Sequence, residues 1–243
     1  GHLPDFWKDA RVVLIPKTGG GHRPLTVLSC FYRVWARRHS HFLTSWANLW
    51  FPEGVYGARP NHSAADAAWA VAMEVERAKL GGRTSLHVVT LDQEKCFDRL
   101  HLDALRELAR EARMPPQVLH ALRLYGQLRR QLFLDGQPTA WRLEGDGACG
   151  APQGCPFAPL LCNLTAAATV CHLREAAPAV EVYTYLDDRV LICSNFRLLD
   201  RALAALDVLD AALGPALNLG KCFRAVAGGR RCDVAYQEGP ADD

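Results

Sequence analysis

The sequence predicts an α+β protein built around an antiparallel sheet of split βαβ (ferredoxin-like) order. Short β-branched runs at 85–91, 180–185 and 190–194 read as strands, and long apolar-periodic stretches at 157–175 and 196–213 read as helices. From Ser85 onward, setting aside a helical and hairpin insertion at about 102–143, the order is strand, helix, strand, strand, helix and a weak final strand near 223–227.

Each element has its own signal. Ser63 followed by Asp66 heads an apolar-periodic run through Trp69, Ala72, Met73 and Val75, which predicts a capped helix over 62–79 ending near Gly81. Gly19-Gly20-Gly21 and Gly81-Gly82 read as loop tips. Ser85 to Leu91 is short and β-branched, as a buried strand is. Leu102, Leu105, Leu108 and Ala112 share one helical face, and Pro115-Pro116 opens a second helix carrying Val118, Leu122 and Tyr125. Asp135-Gly136 is a favoured tight-turn pair between two short strands. After a Gly/Pro-rich stretch at 145–156, the helix from Phe157 is apolar on nearly all sides, as a core element is. Leu186-Asp187-Asp188-Arg189 joins the next two strands, and Gly214-Pro215 stops the last long helix.

Composition sets the outer bounds. With 243 residues, 49% hydrophobic and 22% charged, the chain can bury a sizeable core in one or two domains. No apolar run approaches the roughly 20 residues that span a bilayer, so no membrane partner is expected. The start at Gly1, in mid-pattern and without methionine, suggests an excised or processed piece. Nine cysteines without zinc spacing, most in apolar segments, are expected to be reduced core thiols of an intracellular protein. Net charge is +2, but residues 1–59 carry eight Lys/Arg against three Asp/Glu. That +5 segment is the candidate polyanion contact, although a solvated basic face accounts for it equally well.

The predicted topology lets Asp92, at the end of the first strand, lie beside Asp187 and Asp188 at the hairpin tip. Clustered carboxylates repel one another unless a cation sits among them, and hard oxygen ligands suit Mg²⁺. Two such ions about 4 Å apart serve in-line phosphoryl displacement. Taken singly, the acids have plainer explanations: Asp-Asp is common turn chemistry, and Asp92 could cap a following helix.

The residues around each acid carry a more specific signal. Tyr185-Leu186-Asp187-Asp188 resembles the Tyr-x-Asp-Asp hairpin of reverse transcriptases, and Leu91 to Asp98 (LDQEKCFD) resembles their first palm motif in its non-LTR retrotransposon form. Gly150 to Pro159 (GAPQGCPFAP) is similar to the Pro-Gln-Gly motif between them. Leu14-Ile15-Pro16-Lys17 and Arg23 to Ser29 resemble the fingers motifs, Gly57 to Ser63 the segment before the palm, and Leu217 to Lys221 the motif after the last long helix.

The resemblance implies the fingers and palm of a right-hand polymerase, with fingers at 1–84, palm at 85–230, a tail at 231–243 and no recognisable thumb. It also implies RNA-directed DNA synthesis, with an RNA template, a DNA primer, dNTPs and two Mg²⁺ (or Mn²⁺) ions as partners. Asp92 and Asp187 would be the principal metal ligands and Asp188 a weaker one. Phe97 would lie under the incoming sugar and exclude a 2′-hydroxyl, unless it is simply a core residue at a helix start. Gln153 and Gly154 would begin the apolar helix and face the nucleotide, although a plain loop-to-helix junction also explains Gly154. Lys17 and Arg23 would reach the triphosphate or remain surface charges. Lys221 would donate a proton to pyrophosphate. Arg33, Arg37, Arg38 and His41, with Trp35 and Phe42 between them, suit contact with a nucleic-acid strand, and an exposed basic helix is the simpler alternative. The chain departs from the family pattern at Ala158, where serine is usual, and at Arg189, where an apolar residue is common. The competing functions are an RNA-dependent RNA polymerase and a domesticated relative that only binds RNA.

Overall fold

The computed structural model describes residues 3–18, 20–81, 86–144 and 150–227. In chain order the elements are β1 (Asp9–Pro16), β2 (His22–Val27), α1 (Cys30–Ala47), α2 (Ala64–Leu80), β3 (Leu86–Leu91), β4 (Gln93–Glu94), α3 (Cys96–Arg99), α4 (Leu102–Glu111) and α5 (Pro116–Tyr125). They continue with β5 (Arg129–Leu134), β6 (Gln137–Leu143), α6 (Ala158–Ala176), β7 (Glu181–Tyr185), β8 (Asp188–Cys193), α7 (Phe196–Leu213), β9 (Ala216–Leu217) and β10 (Phe223–Ala227). Single 3₁₀ turns lie at Asp5–Trp7 and Leu219–Lys221. Among the described residues no helix is long and apolar enough to cross a membrane.

Two compact units form, each from two chain segments: 1–46 with 96–164, and 47–95 with 165–243. The expected segments at Gly19, Gly82, Ser85, 145–149 and the 231–243 tail lie outside the described residues.

In the first unit a four-stranded sheet has the order β2-β1-β5-β6. β1 pairs antiparallel with β2, from Arg11 opposite Val27 to Pro16 opposite His22, and parallel with β5, from Asp9 opposite Arg129 to Val13 opposite Phe133. The hairpin expected around Asp135-Gly136 is therefore the completing half of the amino-terminal sheet. Arg129 reinforces that junction through Asp9 at 2.7 Å and Asp5 at 3.0 Å, both exposed contacts of small energetic worth. The core below holds Tyr32, Tyr125, Cys155 and Phe157, all buried. The Cys155 thiol lies 2.7 Å from the Tyr125 hydroxyl and 3.3 Å from that of Tyr32, so both phenol groups are satisfied away from water. Burial pushes the Cys155 thiol above its usual range and both phenols well above theirs.

The second unit carries the predicted sheet. Its order is β10-β3-β8-β7 with every neighbouring pair antiparallel, which in terms of the split βαβ strands is 4-1-3-2. α2 lies on this sheet through Ala78, with Leu86, Val88 and Ile192 beneath it and Val71 and Val75 beside them. Its start follows from sequence: Ser63 accepts from the Asp66 N–H while the Asp66 carboxylate accepts from the Ser63 N–H at 2.7 Å, a complete capping box. α7 ends on Gly214 in the left-handed region, the stop its sequence predicted, and is capped at its start by Asn195. A short ladder, β4 with β9, sets Gln93 opposite Leu217 and Glu94 opposite Ala216.

Candidate active site

The acids lie at one end of the second unit's sheet. In the β3–β8 ladder Leu91 faces Arg189, and continuing that register by one step sets Asp92 against Asp188. Tyr185 pairs with Asp188 across the β7–β8 turn, leaving Leu186 and Asp187 as the turn residues. Leu186 has φ +56°, a left-handed conformation that costs a leucine about 1–2 kcal/mol. The turn-chemistry explanation for the Asp pair fails on this point, because the position needing positive φ is taken by leucine while the acids fill the positions beside it. The capping explanation for Asp92 fails as well, since α3 begins at Cys96, four residues later.

What holds the strained tip is its surroundings. The backbone of Gly54 and Tyr56 brackets Thr184, with Thr184 N–H donating to Gly54 at 2.7 Å and Tyr56 N–H donating to Thr184 at 2.9 Å. Gly57 passes so near Leu186 that a Cβ there would lie 2.5 Å from the Leu186 backbone nitrogen. The segment before the palm motif is thus the buttress of the acid-bearing turn.

Charge at this end is unbalanced. The Asp188 carboxyl, open to solvent on one side, is pushed above the usual carboxylate range by partial desolvation first, then by Asp187 and Asp92, with Lys221 pulling the other way. Lys221 Nζ is 3.6 Å from Asp92 Oδ2. Its segment is fixed there by the backbone, where Asn218 N–H donates to the Asp92 carbonyl at 2.9 Å. Among the described residues, no three His, Cys, Asp or Glu side chains close into a cage that would hold an ion unaided. The donor chemistry fits an open site instead: Mg²⁺ commonly takes one or two carboxylates and completes its shell with water and substrate phosphate.

Sequence reasoning singled out Arg189 as a departure but missed its partner. Its guanidinium is buried and grips both carboxylate oxygens of Asp210 in α7, at 2.9 and 2.8 Å. Burial raises the Asp210 carboxyl and Arg189 opposes that shift. Gln93, also buried, lies against the same guanidinium, and with its amide oxygen assigned to that side, the orientation that satisfies both groups, it accepts from Nη2 at 2.5 Å. A signal was present, because Asp210 stands four residues after Leu206 and three before Leu213, on the apolar stripe of α7.

The remaining predicted site residues belong to the first unit. A cleft of about 870 Å³ is bordered by Arg23, Arg33 and Arg37 and by Phe97, Gln153 and Gly154. Phe97 is half-buried on this cleft, not sealed in the core. Gln153 donates from Nε2 to Asp98 at 3.0 Å, while its carbonyl accepts from Thr26 N–H at 3.1 Å.

One expectation needs correction. Gln153 and Gly154 do not begin α6, which starts at Ala158: Gly154 has φ +100° and Pro156 lacks an N–H, so the chain turns before it coils. Trp35 is half-buried, and its ring packs against Trp7, Tyr32 and Phe157 with centroids 5.7 Å away. Lys17, Arg38 and His41 are exposed but do not border the cleft, whereas Arg33 and Arg37 do.

Gly150 fixes the cleft wall. At φ +88° it donates to the Leu100 carbonyl at 3.0 Å, and a Cβ would lie 2.2 Å from the Phe97 carbonyl oxygen. Gly150→Ala is expected to destabilise the protein by about 2–4 kcal/mol, from left-handed strain plus forced displacement of the Phe97 turn. A urea midpoint unchanged from wild type would refute this.

A 4-1-3-2 antiparallel sheet with carboxylates after its first strand and at its central hairpin defines a class, the palm of a nucleotide polymerase. The family model for reverse transcriptase (RNA-dependent DNA polymerase) matches residues 15–232, and the chain belongs to that family. The chain is 28% identical, over 96% of its length, to the transposon TX1 uncharacterized 149 kDa protein of Xenopus laevis. It is 24% identical, over 87%, to the RNA-directed DNA polymerase from mobile element jockey of Drosophila melanogaster. It spans only 19% and 24% of those two relatives. In fold it is similar to apo telomerase from Candida tropicalis truncated from the C-terminal domain, with TM-score 0.68 at 17% identity over 93% of this chain and 51% of that one. The telomerase from the same organism in complex with the TWJ fragment of telomeric RNA gives TM-score 0.67 at 16% identity, over 92% and 42%.

Proposed function

We propose that this chain is the catalytic domain of a non-LTR retroelement reverse transcriptase, extending a DNA primer with dNTPs on an RNA template. The primer 3′-oxygen forms a bond to the dNTP α-phosphorus, the bond to the pyrophosphate oxygen breaks, and the hydroxyl proton passes to solvent. The observation that carries this is the acid-bearing turn, in which a strained Leu186 is tolerated between Tyr185 and two carboxylates. Asp92, Asp187 and Asp188 would hold two Mg²⁺ ions, which when bound supply Lewis acidity at the attacking and leaving oxygens. Lys221, close to Asp92, would neutralise the leaving pyrophosphate and donate a proton to it.

In the first unit, the cleft pairs arginine charge with an aromatic wall, a combination suited to a phosphate chain and a sugar. Phe97 would select deoxyribose by leaving no space for a 2′-hydroxyl.

The test is primer extension on an RNA template with Mg²⁺, supplying either dNTPs or rNTPs. Extension with dNTPs that stops on chelation is expected. Equal use of both nucleotides would favour an RNA polymerase, and no extension would leave only RNA binding. Phe97→Ala is expected to raise rNTP use relative to dNTP use by about tenfold or more, the scale of a steric change of a few methylenes. An unchanged ratio of kcat/KM values would remove Phe97 from sugar selection.

A further inference from the structure

We propose that Arg189 is a positioning residue, which through Gln93 and Asp210 fixes the spacing between the backbone segments carrying Asp92 and Asp188. The inference rests on the metal-holding role proposed for those acids. Gln93 directly follows Asp92, Arg189 directly follows Asp188, and side chains alternate along a strand. When Arg189 and Gln93 point inward, the acids before them are directed to the opposite side.

Stability alone is a poor reason for this arrangement. Arg189 and Asp210 side chains are 3% and 9% exposed, and an apolar pair of similar volume would serve such a site as well or better. What an apolar pair lacks is direction. A planar guanidinium held by both oxygens of Asp210 on α7, while also donating to the Gln93 amide, ties three segments at fixed angles. The turn between the acids needs such a clamp, because Leu186 holds a strained left-handed conformation there. Ligands to a metal are commonly oriented this way, by groups that themselves touch no ion.

The test compares wild type with Arg189→Leu/Asp210→Leu, Gln93→Leu and Asp187→Ala. Mn²⁺ binding to the protein without substrate is followed by electron paramagnetic resonance, alongside Tm and the Mg²⁺ dependence of primer extension. The double variant is expected to stay folded with Tm within a few degrees of wild type, to bind Mn²⁺ about 10–100-fold more weakly, and to need correspondingly more Mg²⁺. At saturating Mg²⁺ its KM for dNTP is expected to be unchanged. Gln93→Leu, which keeps the ion pair, is expected to weaken Mn²⁺ binding several-fold at unchanged Tm, and it carries the test if the double variant unfolds. Wild-type Mn²⁺ affinity in folded Gln93→Leu and double variants would overturn the positioning role alone. Wild-type binding indifferent to Asp187→Ala would overturn the metal-holding role and this inference with it.

Discussion

Asp187→Ala is expected to lower primer extension by about a thousandfold while leaving Tm at or slightly above that of wild type. The rate loss follows from removing a carboxylate proposed to hold the ions that stabilise the attacking and leaving oxygens, a contribution of several kcal/mol at about 1.4 kcal/mol per tenfold. The stability gain follows from charge: Asp188 is pushed toward its protonated form by desolvation first and then by Asp187 and Asp92, and deleting Asp187 relieves the repulsive part. A purely structural acid would behave the other way, with Tm falling and activity tracking the folded fraction. Single-turnover extension and calorimetry on the same preparation distinguish the two, and an active Asp187→Ala protein would sink the assignment.

The second large effect is on folding. Asp210→Ala leaves the Arg189 guanidinium buried with a neutral amide as its remaining side-chain partner, so a loss of about 3–5 kcal/mol is expected. Removing both charges, as in Arg189→Leu/Asp210→Leu, is expected to recover most of it. Urea denaturation of wild type, both single variants and the double variant closes the thermodynamic cycle. Additive losses would show that the two groups do not depend on each other.

The helices and the second sheet were legible because their signals are local. Ser63 with Asp66 marks a helix start, Gly214 marks a helix end, and β-branched runs separated by Leu186-Asp187 mark a hairpin. Strand order then followed from element order. The first sheet was not legible in that way. β1 depends on parallel pairing with a strand some 120 residues later, and Pro16 and Pro24 obscure the strand character of β1 and β2. In the second unit, the nearness of Asp92, Asp188 and Lys221 was readable from motif and spacing. Arg189 was noticed only as an oddity, because its meaning lies in Asp210, which in one dimension is one acid among several on a long helix. The packing of Trp35 was hidden for a related reason: the arginines near it advertise a surface, whereas its ring lies against Trp7 and Phe157.

The parallel pairing of β1 with β5 constrains how the protein is made. During synthesis β1 and β2 emerge well before β5 and β6, which complete their sheet, and everything between 47 and 95 must be accommodated elsewhere meanwhile. A cut at residue 84, where the motifs change from fingers to palm, would part the first unit's two segments and split the 47–95 segment of the second between α2 and β3. The chain is divisible on paper by motif, but as an assembling polymer it is an interlaced pair in which neither partner can be completed before the other has begun.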